Sequence, residues 1–262
     1  MPEISVVVPS HNGYKQLISL IPRILFAVRS LGSSELVIAD DGSDEANGAA
    51  LRTLASNETG IRLVRTSERK GQIYATLLGV SLAQGEIVIT MDDDGSHPPE
   101  LIPELVGFLR SNERIDLLYA APLAERGPGG GRRPAVRRLG TRLNNFLFHR
   151  FLGLPPEVPV GSFRAIRRGL LHDALARPVR YPYLSAMLLS LDPGVTALRY
   201  RPPRRVENRR SRYRLGRLLS VWWALLIYWG PLKPLGSLLR ERRRFLPETE
   251  TVELMDLPEE RR

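Results

Sequence analysis

Residues 87–100 read IVITMDDDGSHPPE. Ile87–Thr90 is a short, largely apolar run of four β-branched residues, which predicts a buried strand. Three aspartates follow it almost at once, and the two prolines near the end of the stretch are typical of the first turn of a helix. A buried strand, a polar turn and a helix in this order predict the repeating unit of an α/β fold.

The same unit recurs along the chain. Other short apolar runs predict further strands, at Ile4–Val8, Leu36–Ala39, Ile61–Val64, Leu117–Ala120 and Val195–Tyr200. Between several of them apolar residues recur every three or four positions, as from Leu17 to Val28, which predicts amphipathic helices. Strands that alternate with helices predict a mostly parallel sheet with helices on both faces, and ligands bind such sheets beyond the carboxyl ends of the strands.

The net charge of +10 is unevenly distributed. Residues 1–125 carry 10 basic and 17 acidic side chains, residues 126–244 carry 26 and 5, and residues 245–262 carry 2 and 6. An acidic half can hold a metal and a basic half can hold phosphates. We expect no nucleic-acid partner, because no aromatic or helix-turn-helix pattern accompanies the arginines. The chain has no cysteine, which excludes disulfides and cysteine-bound zinc.

The longest apolar run, Leu218–Leu232, contains all three tryptophans. A membrane-spanning helix needs about 20 apolar residues, and Gly230 and Pro231 interrupt this run. The run therefore predicts an interfacial helix or helical hairpin, with a core or dimer helix as the alternative. We favour contact with an anionic membrane surface, because the arginine-rich stretches 209–217 and 240–244 flank the run.

The three aspartates are the strongest chemical signal. Alternate residues of an extended chain point the same way, so Asp92 and Asp94 can face one cation while Asp93 faces elsewhere. Carboxylate oxygens suit Mg²⁺ or Mn²⁺, which usually complete their shell with phosphates and water. The alternative is a solvated acidic turn that caps the helix beginning at Pro98.

Polar residues also end two other predicted strands, at Asp40-Asp41-Gly42-Ser43-Asp44 and at Pro9-Ser10-His11-Asn12-Gly13. A carboxylate in the first group can accept hydrogen bonds from a nucleobase or a ribose. The alternative is an Asp-Gly turn in which Asp44 caps the following helix. Three polar strand ends of one parallel sheet are expected to share one crevice.

These motifs resemble those of family 2 glycosyltransferases, which have the GT-A nucleotide-diphospho-sugar transferase fold. The stretch from Val8 to Asn12 is similar to the family's opening V-P-x-[YH]-N, Asp40–Ser43 to its D-D-G-S element, and Asp92–Asp94 to its D-x-D element. The segments that more specifically resemble polyprenyl-phosphate glycosyltransferases are His97–Glu100, Gly161–Arg168 and Arg210–Leu215.

The resemblance implies roles for individual residues. The nucleotide-sugar donor would be bound by Pro9, Ser10, His11, Asn12, Asp41, Lys70, Gly71, Asp93 and Arg137. The catalytic carboxylates would be Asp92 and Asp94, which with Ser96 would bind Mg²⁺ or Mn²⁺. The acceptor phosphate would be bound by Arg164, Arg205, Arg209, Arg210 and Arg212.

The chain departs from the family pattern in each part of this predicted site. Gly13 stands where a Glu usually follows the Asn, and Ser96 stands where the lipid-phosphate group usually has Gln. Val206 occupies the place of a family arginine, with Arg205 beside it.

The resemblance implies a metal-dependent, inverting glycosyltransferase that moves a sugar from a nucleotide diphosphate to undecaprenyl or dolichyl phosphate. It would act at the cytoplasmic face of a membrane, as a peripheral or monotopic protein. One alternative is a family 2 enzyme that acts on a polysaccharide or another glycan, and another is a catalytically weakened nucleotide-sugar or membrane-binding protein.

The glycine-rich stretch Arg126–Pro134 coincides with the change of charge sign and predicts an internal boundary. We expect a catalytic domain at 1–217, with a nucleotide and metal half (1–125) and a basic acceptor half (126–217). An amphipathic or membrane-associated helical segment (218–244) and an acidic tail (245–262) would follow.

Overall fold

One mixed sheet organises the chain. The computed structural model describes residues 2–123, 145–202, 215–239, 245 and 252–255. The strands are β1 (Ile4–Ser10), β2 (Ser34–Asp40), β3 (Ile61–Thr66), β4 (Ile87–Thr90), β5 (Leu117–Pro122), β6 (Arg164–Arg167), β7 (Val195–Tyr200) and β8 (Val252–Met255). The helices are α1 (Tyr14–Val28), α2 (Glu45–Asn57), α3 (Gln72–Leu82), α4 (Ile102–Ser111), α5 (145–151), α6 (Arg168–Ala176), α7 (Leu184–Leu189), α8 (Leu215–Tyr228) and α9 (Lys233–Leu239), and a short 3₁₀ turn (Pro99–Leu101) precedes α4.

The strand order is β7-β5-β6-β4-β1-β2-β3-β8. The pairs β1–β2, β1–β4, β2–β3 and β5–β7 are parallel, whereas β6 runs antiparallel to both β4 and β5 and β8 runs antiparallel to β3. The mostly parallel α/β sheet predicted from the apolar runs is confirmed. The predicted limits of β4 and β7 agree with the structure residue for residue.

Helices cover both faces of the sheet, as predicted. Side chains of β1 alternate between the two faces, so Val6 and Val8 pack with α1 and α4 while Val7 packs with α3. All three valines are fully buried. Because both faces are covered, a ligand reaches this sheet only at the ends of its strands.

Two strands were not predicted. Arg164–Arg167 has an arginine at each end and no apolar run, and only its pairing between β4 and β5 makes it a strand. Val252–Met255 lies in the stretch that we expected to be an acidic tail, and it pairs with the edge strand β3 from Leu63 to Thr66. Residues 252–255 therefore belong to the sheet.

The tryptophan-rich run forms α8, which is followed by α9. Leu225 on α8 is 1% exposed and joins the apolar cluster beneath α3 and α7. The Trp229 indole N–H donates a hydrogen bond to the Tyr181 carbonyl at 2.8 Å, and the rings of Tyr181 and Tyr228 stack. One face of α8 is thus a core face, as the alternative interpretation required, while Trp223 is 53% exposed. Within the described ranges no helix is long and apolar enough to cross a bilayer.

A buried polar network closes the sheet at the edge opposite the carboxyl ends of β1, β2 and β4. The Glu35 carboxylate accepts hydrogen bonds from Ser5 Oγ at 2.6 Å and from the Gln84 backbone N–H at 2.7 Å. Its second oxygen lies 3.4 Å from the Arg62 guanidinium, which also donates to the Leu82 carbonyl at 2.8 Å. Glu35 and Arg62 are 2% and 8% exposed, so each charge depends on its partners here.

Replacement of Glu35 tests this network. We expect Glu35→Ala to lower the free energy of unfolding by about 3–5 kcal/mol, because it leaves the buried Arg62 without its counter-charge. Arg52→Ala removes a more exposed pair with Glu45 and should cost less than about 1 kcal/mol. Urea denaturation measures both variants, and equal losses would contradict a structural role for the network.

Candidate functional site

The polar motifs meet at one edge of the sheet. The strands β1, β2 and β4 are parallel and end there, with Ser10 of β1 beside Asp40 of β2. The antiparallel β6 begins at the same edge, where Arg164 pairs with Thr90. One site is therefore formed by the loops after β1, β2 and β4 and by the segment before β6.

Asp92 lies at the centre of this edge. Its Oδ1 accepts a hydrogen bond from Gln72 Nε2 at 2.8 Å, and its Oδ2 accepts one from Ser162 Oγ at 2.8 Å. Its backbone N–H donates to His97 Nδ1 at 3.0 Å. The side chain is 25% exposed, so it is fixed by protein groups and still reaches the surface.

His97 holds the turn that carries the aspartates. Because Nδ1 accepts the Asp92 N–H, the ring proton of the neutral imidazole sits on Nε2, which lies 3.9 Å from Asp92 Oδ2. The ring stacks on Phe163 with a centroid distance of 5.0 Å. His97 therefore stabilises the backbone of the turn that carries the aspartates.

The Asp93 carboxylate contacts β1. Its Oδ2 accepts a hydrogen bond from Ser10 Oγ at 2.7 Å. A Cβ atom at position 13 would overlap both Ser10 Oγ and Asp93 Oδ2. Gly13 therefore leaves room for the Asp93 carboxylate beside the N-terminus of α1, where the helix has no acidic residue of its own in its first turn. The departure at Gly13 removes one carboxylate, and Asp93 brings another to the same place.

Asp94 and Ser96 lie on the exposed side of the turn. Asp94 Oδ1 accepts the backbone N–H of Ser96 at 2.9 Å, and both residues are exposed. Gly95 between them has a φ of 69°, the left-handed conformation that glycine adopts without strain. The turn thus presents Asp94 to solvent.

The first aspartate after β2 is buried. Asp40 is fully buried, accepts a short hydrogen bond from Ser43 Oγ and lies 3.4 Å from Arg65. Burial raises the pKa of the Asp40 carboxyl, while the Ser43 hydrogen bonds and the Arg65 charge oppose that rise. Asp40 is consequently a support for the loop. Asp44 accepts the Asn47 N–H at 2.9 Å and caps α2, as the turn interpretation predicted.

The second aspartate ties two loops together. Asp41 accepts backbone N–H groups of Lys70 at 2.7 Å and of Gly71 at 2.8 Å, and it is 3% exposed. Gly71 has a φ of 104°, which a residue with a side chain rarely adopts. His11 Nδ1 lies 2.8 Å from the Asp41 carbonyl. Asn12, at a φ of 52°, donates its N–H to Ser43 Oγ at 2.8 Å.

The structure thus brings most of the predicted donor-site residues together. Those at this edge are Pro9, Ser10, His11, Asn12, Asp41, Lys70, Gly71, Asp92, Asp93, Asp94 and Ser96. The Lys70 ammonium lies 5.1 Å from the centre of the Tyr74 ring, on the first turn of α3. Gln72 and Ser162, to which we assigned no role from the sequence, contact Asp92 directly.

Of the five arginines that we predicted to bind the acceptor phosphate, the structure describes only Arg164. Arg164 is 4% exposed, and its guanidinium donates to Thr90 Oγ1 at 3.2 Å and to Ser185 Oγ at 2.5 Å. The Arg164 side chain thus holds β6 against β4 and α7, and its binding of the acceptor phosphate stays a prediction. The arginines that lie outside the described residues are Arg137, Arg205, Arg209, Arg210 and Arg212.

Known proteins are similar to this chain in sequence and in fold. The family described as Glycosyl transferase family 2 matches residues 5–175. The undecaprenyl-phosphate 4-deoxy-4-formamido-L-arabinose transferase of Pseudomonas paraeruginosa is 29% identical over 225 residues, which cover 85% of this chain and 64% of the relative. The dolichol-phosphate mannosyltransferase of Pyrococcus furiosus is 26% identical over 194 residues, which cover 71% of this chain and 52% of the relative. This chain thus matches between about half and two thirds of the length of these relatives.

Solved structures agree with the fold. Glucosyl-3-phosphoglycerate synthase from Mycobacterium tuberculosis in complex with phosphoglyceric acid has a TM-score of 0.61 and 26% identity, covering 86% of this chain and 79% of that chain. The same enzyme was crystallised with Mn²⁺, uridine diphosphate and glucosyl-3-phosphoglycerate, and that structure has a TM-score of 0.59 and 25% identity over the same shares. The predicted GT-A fold is confirmed, and members of this structural class bind a divalent metal. With the family match over residues 5–175, these similarities show that the chain belongs to glycosyl transferase family 2.

Proposed function

We propose that this chain transfers a sugar from a nucleotide diphosphate to a polyprenyl phosphate, with inversion at the sugar and with the help of a divalent metal. The observation that carries the proposal is the single site at the strand ends, where Asp41 lies on the loop after β2 and Asp92 and Asp94 lie on the loop after β4. The names of the two relatives, one specifying undecaprenyl phosphate and the other dolichol phosphate, support this class of acceptor.

The donor atoms at this edge suit Mg²⁺ or Mn²⁺. Asp92 and Asp94 supply carboxylate oxygens, and the exposed Ser96 is the third residue that could contribute an oxygen. Among the residues that the structure describes, no three His, Asp or Glu side chains form a complete metal cage. Magnesium is commonly held by one or two carboxylates together with substrate phosphates, so the partial ligand set is appropriate for a metal that arrives with a diphosphate.

The chemistry then follows from charge. When bound, the metal would offset the negative charge that develops on the leaving nucleotide diphosphate. Asp92 and Asp94 would hold it, and the loops around Asp41 and Lys70 would orient the nucleotide. Gly71 permits the positive φ of the loop before α3, and Gly13 leaves room for the Asp93 carboxylate.

The acceptor determines whether a general base is needed. A phosphomonoester is largely ionised at neutral pH, since its second pKa is about 6, whereas a sugar hydroxyl must lose a proton. In the described part of residues 150–202 the acidic side chains are Glu157, Asp173 and Asp192. Asp173 is exposed on α6, and Asp192 precedes β7 at the opposite edge of the sheet. Glu157 lines a cavity of about 260 Å³ at the carboxyl ends of β5 and β7, together with Asn145 and Arg199.

Glu157 is the observation that favours the second candidate, transfer to a glycan hydroxyl. Its carboxylate lies at the same edge of the sheet as the aspartates after β4 and could serve as a base. Transfer to a polyprenyl phosphate needs no such base, whereas transfer to a glycan hydroxyl does. Glu157 would therefore be dispensable for the first acceptor class and needed for the second.

The α8–α9 hairpin is the proposed membrane-contacting surface. Its exposed apolar side chains are Trp223, Leu232, Leu235 and Leu238, with Leu238 82% exposed. The arginine-rich stretches 209–217 and 240–244 flank the hairpin in the sequence and would attract anionic lipid. Because Leu225 anchors α8 to the catalytic fold, contact through the hairpin would bring the enzyme to a lipid acceptor as a peripheral or monotopic protein at the cytoplasmic face.

Transfer is tested by Asp94→Asn. We expect the variant to lose about 10²–10³-fold in kcat, the scale of removing one key electrostatic group from an active site. Purified protein is assayed with Mg²⁺ or Mn²⁺, radiolabelled UDP-sugars and GDP-mannose, and undecaprenyl or dolichyl phosphate. Asp173→Asn, on the exposed face of α6, is the matched control and should keep full activity. Retained activity in Asp94→Asn would remove its metal role, and label on phosphoglyceric acid or a soluble glycan with none on lipid would reject the acceptor class.

The Glu157→Gln variant distinguishes the two acceptor classes. With a polyprenyl phosphate acceptor we expect kcat within about twofold of the native value, because an ionised phosphate needs no base. A glycan acceptor that relied on Glu157 would lose about 10²–10⁴-fold, the usual contribution of a general base. The same radiolabel assay gives the rates, and a loss of that size with lipid phosphate would contradict the favoured mechanism.

Membrane contact is tested by Leu235→Glu and Leu238→Glu together. We expect binding to vesicles of phosphatidylglycerol and phosphatidylcholine to fall at least about tenfold, since each leucine buried in lipid contributes about 1.5–3 kcal/mol. Phe26→Glu is the control, because Phe26 is 77% exposed on α1, which packs on the other face of the sheet. Vesicle co-sedimentation measures the binding, and equal effects of both changes would contradict a specific surface.

A further inference from the structure

The carboxylate of Asp92 is held on both sides by side chains from distant parts of the chain. Gln72 begins α3, and Ser162 lies just before β6. Each donates one hydrogen bond of 2.8 Å to a different oxygen of the carboxylate. Two bonds to two oxygens fix the plane of the group as well as its position, because rotation of the side chain would break at least one of them.

Gln72 is itself fixed by the start of α3. The preceding residue, Gly71, donates its N–H to Asp41, and the Gln72 carbonyl accepts the Thr76 hydroxyl at 2.8 Å. The Gln72 backbone is thus anchored on both sides. From this fixed position its side-chain amide reaches Asp92.

Ser162 is anchored by a different strand. Its carbonyl accepts a hydrogen bond from Thr90 Oγ1 at 2.6 Å, at the end of β4. The next residue, Phe163, is buried and stacks on His97, whose Nδ1 accepts the Asp92 N–H. The Ser162 hydroxyl is therefore held against the same turn through both its backbone and its neighbour.

The two groups that donate to Asp92, the Gln72 amide and the Ser162 hydroxyl, are both neutral. An amide and a hydroxyl orient a carboxylate and leave its negative charge in place, whereas an arginine at the same position would compensate that charge. Each oxygen of an ionised carboxylate accepts more than one hydrogen bond or ligand. Asp92 can therefore keep both contacts and still offer an oxygen to a divalent metal.

We propose that Gln72 and Ser162 are positioning residues that hold Asp92 in the orientation required for the divalent metal. The inference rests on the proposed function, because it assumes that Asp92 is a metal ligand. It adds that the segment before β6 contributes to metal affinity through the Ser162 hydroxyl. Outer-shell partners of metal ligands commonly change affinity by about 10–100-fold.

Mn²⁺ binding to the full chain tests this inference without any turnover. The dissociation constant of Mn²⁺ is measured by electron paramagnetic resonance, with UDP and separately with GDP present. We expect Ser162→Ala and Gln72→Met each to raise it about tenfold, while Ser162→Thr, which keeps a hydroxyl, stays near the native value. The matched controls are Ser81→Ala and Gln84→Ala, since Ser81 bonds only within α3 in the contacts seen here and Gln84 is exposed.

A second measurement separates positioning from a general loss of structure. In an Asp92→Asn background, Ser162→Ala and Gln72→Met should have little further effect on the Mn²⁺ dissociation constant, because the carboxylate that they orient has been replaced by an amide. Independent losses that simply add in that background would overturn the inference. Thermal unfolding of every variant is recorded, and because each donor is tested separately, a folding defect in one leaves the other to decide.

The outcomes distinguish this inference from the proposed function. If Asp92→Asn and Asp94→Asn leave the Mn²⁺ affinity unchanged, the proposed metal site is wrong and the inference falls with it. If those two variants lose affinity while Ser162→Ala and Gln72→Met bind Mn²⁺ like the native protein, only the positioning role is rejected.

Discussion

Hydrogen bonds to aspartate carboxylates join the loops at the functional edge of the sheet. Asp41 after β2 holds the loop before α3, Asp92 after β4 is held by α3 and by the segment before β6, and Asp93 accepts from Ser10 of β1. Carboxylates crowded together repel one another, and donors from other loops reduce that cost. The site therefore exists only when all of these strands are in register, which the buried sheet enforces.

The three consecutive aspartates 92–94 have different surroundings and therefore different roles. Asp92 is oriented by neutral donors, Asp93 links the turn to β1, and Asp94 is presented to solvent by the turn at Gly95. Gly13 belongs to the same arrangement, because a side chain there would overlap Asp93 and Ser10. Gly13 replaces the usual Glu of the family pattern, and the Asp93 carboxylate occupies the space that this glycine leaves.

The arginines of the basic half lie in different environments. Its arginines look alike in the sequence, yet Arg164 is buried against Thr90 and Ser185, and Arg199 lines an exposed cavity. The apolar run around Trp223 and Leu225 likewise combines two properties, since one side of α8 packs on the core and the other is exposed. Composition and charge alone do not separate such residues, because burial depends on what the rest of the chain places beside them.

Local patterns were enough to predict the alternating strands, the helices between them and the edge where the polar motifs meet, because hydrophobic periodicity and the polarity of parallel strands are properties of short segments. They did not predict β6 or β8, whose residues become strands only by pairing with β4, β5 and β3. Nor did they reveal that Gln72 and Ser162, 90 positions apart, meet at Asp92. Contacts between distant segments are decided by tertiary packing, since no short stretch of sequence contains both partners.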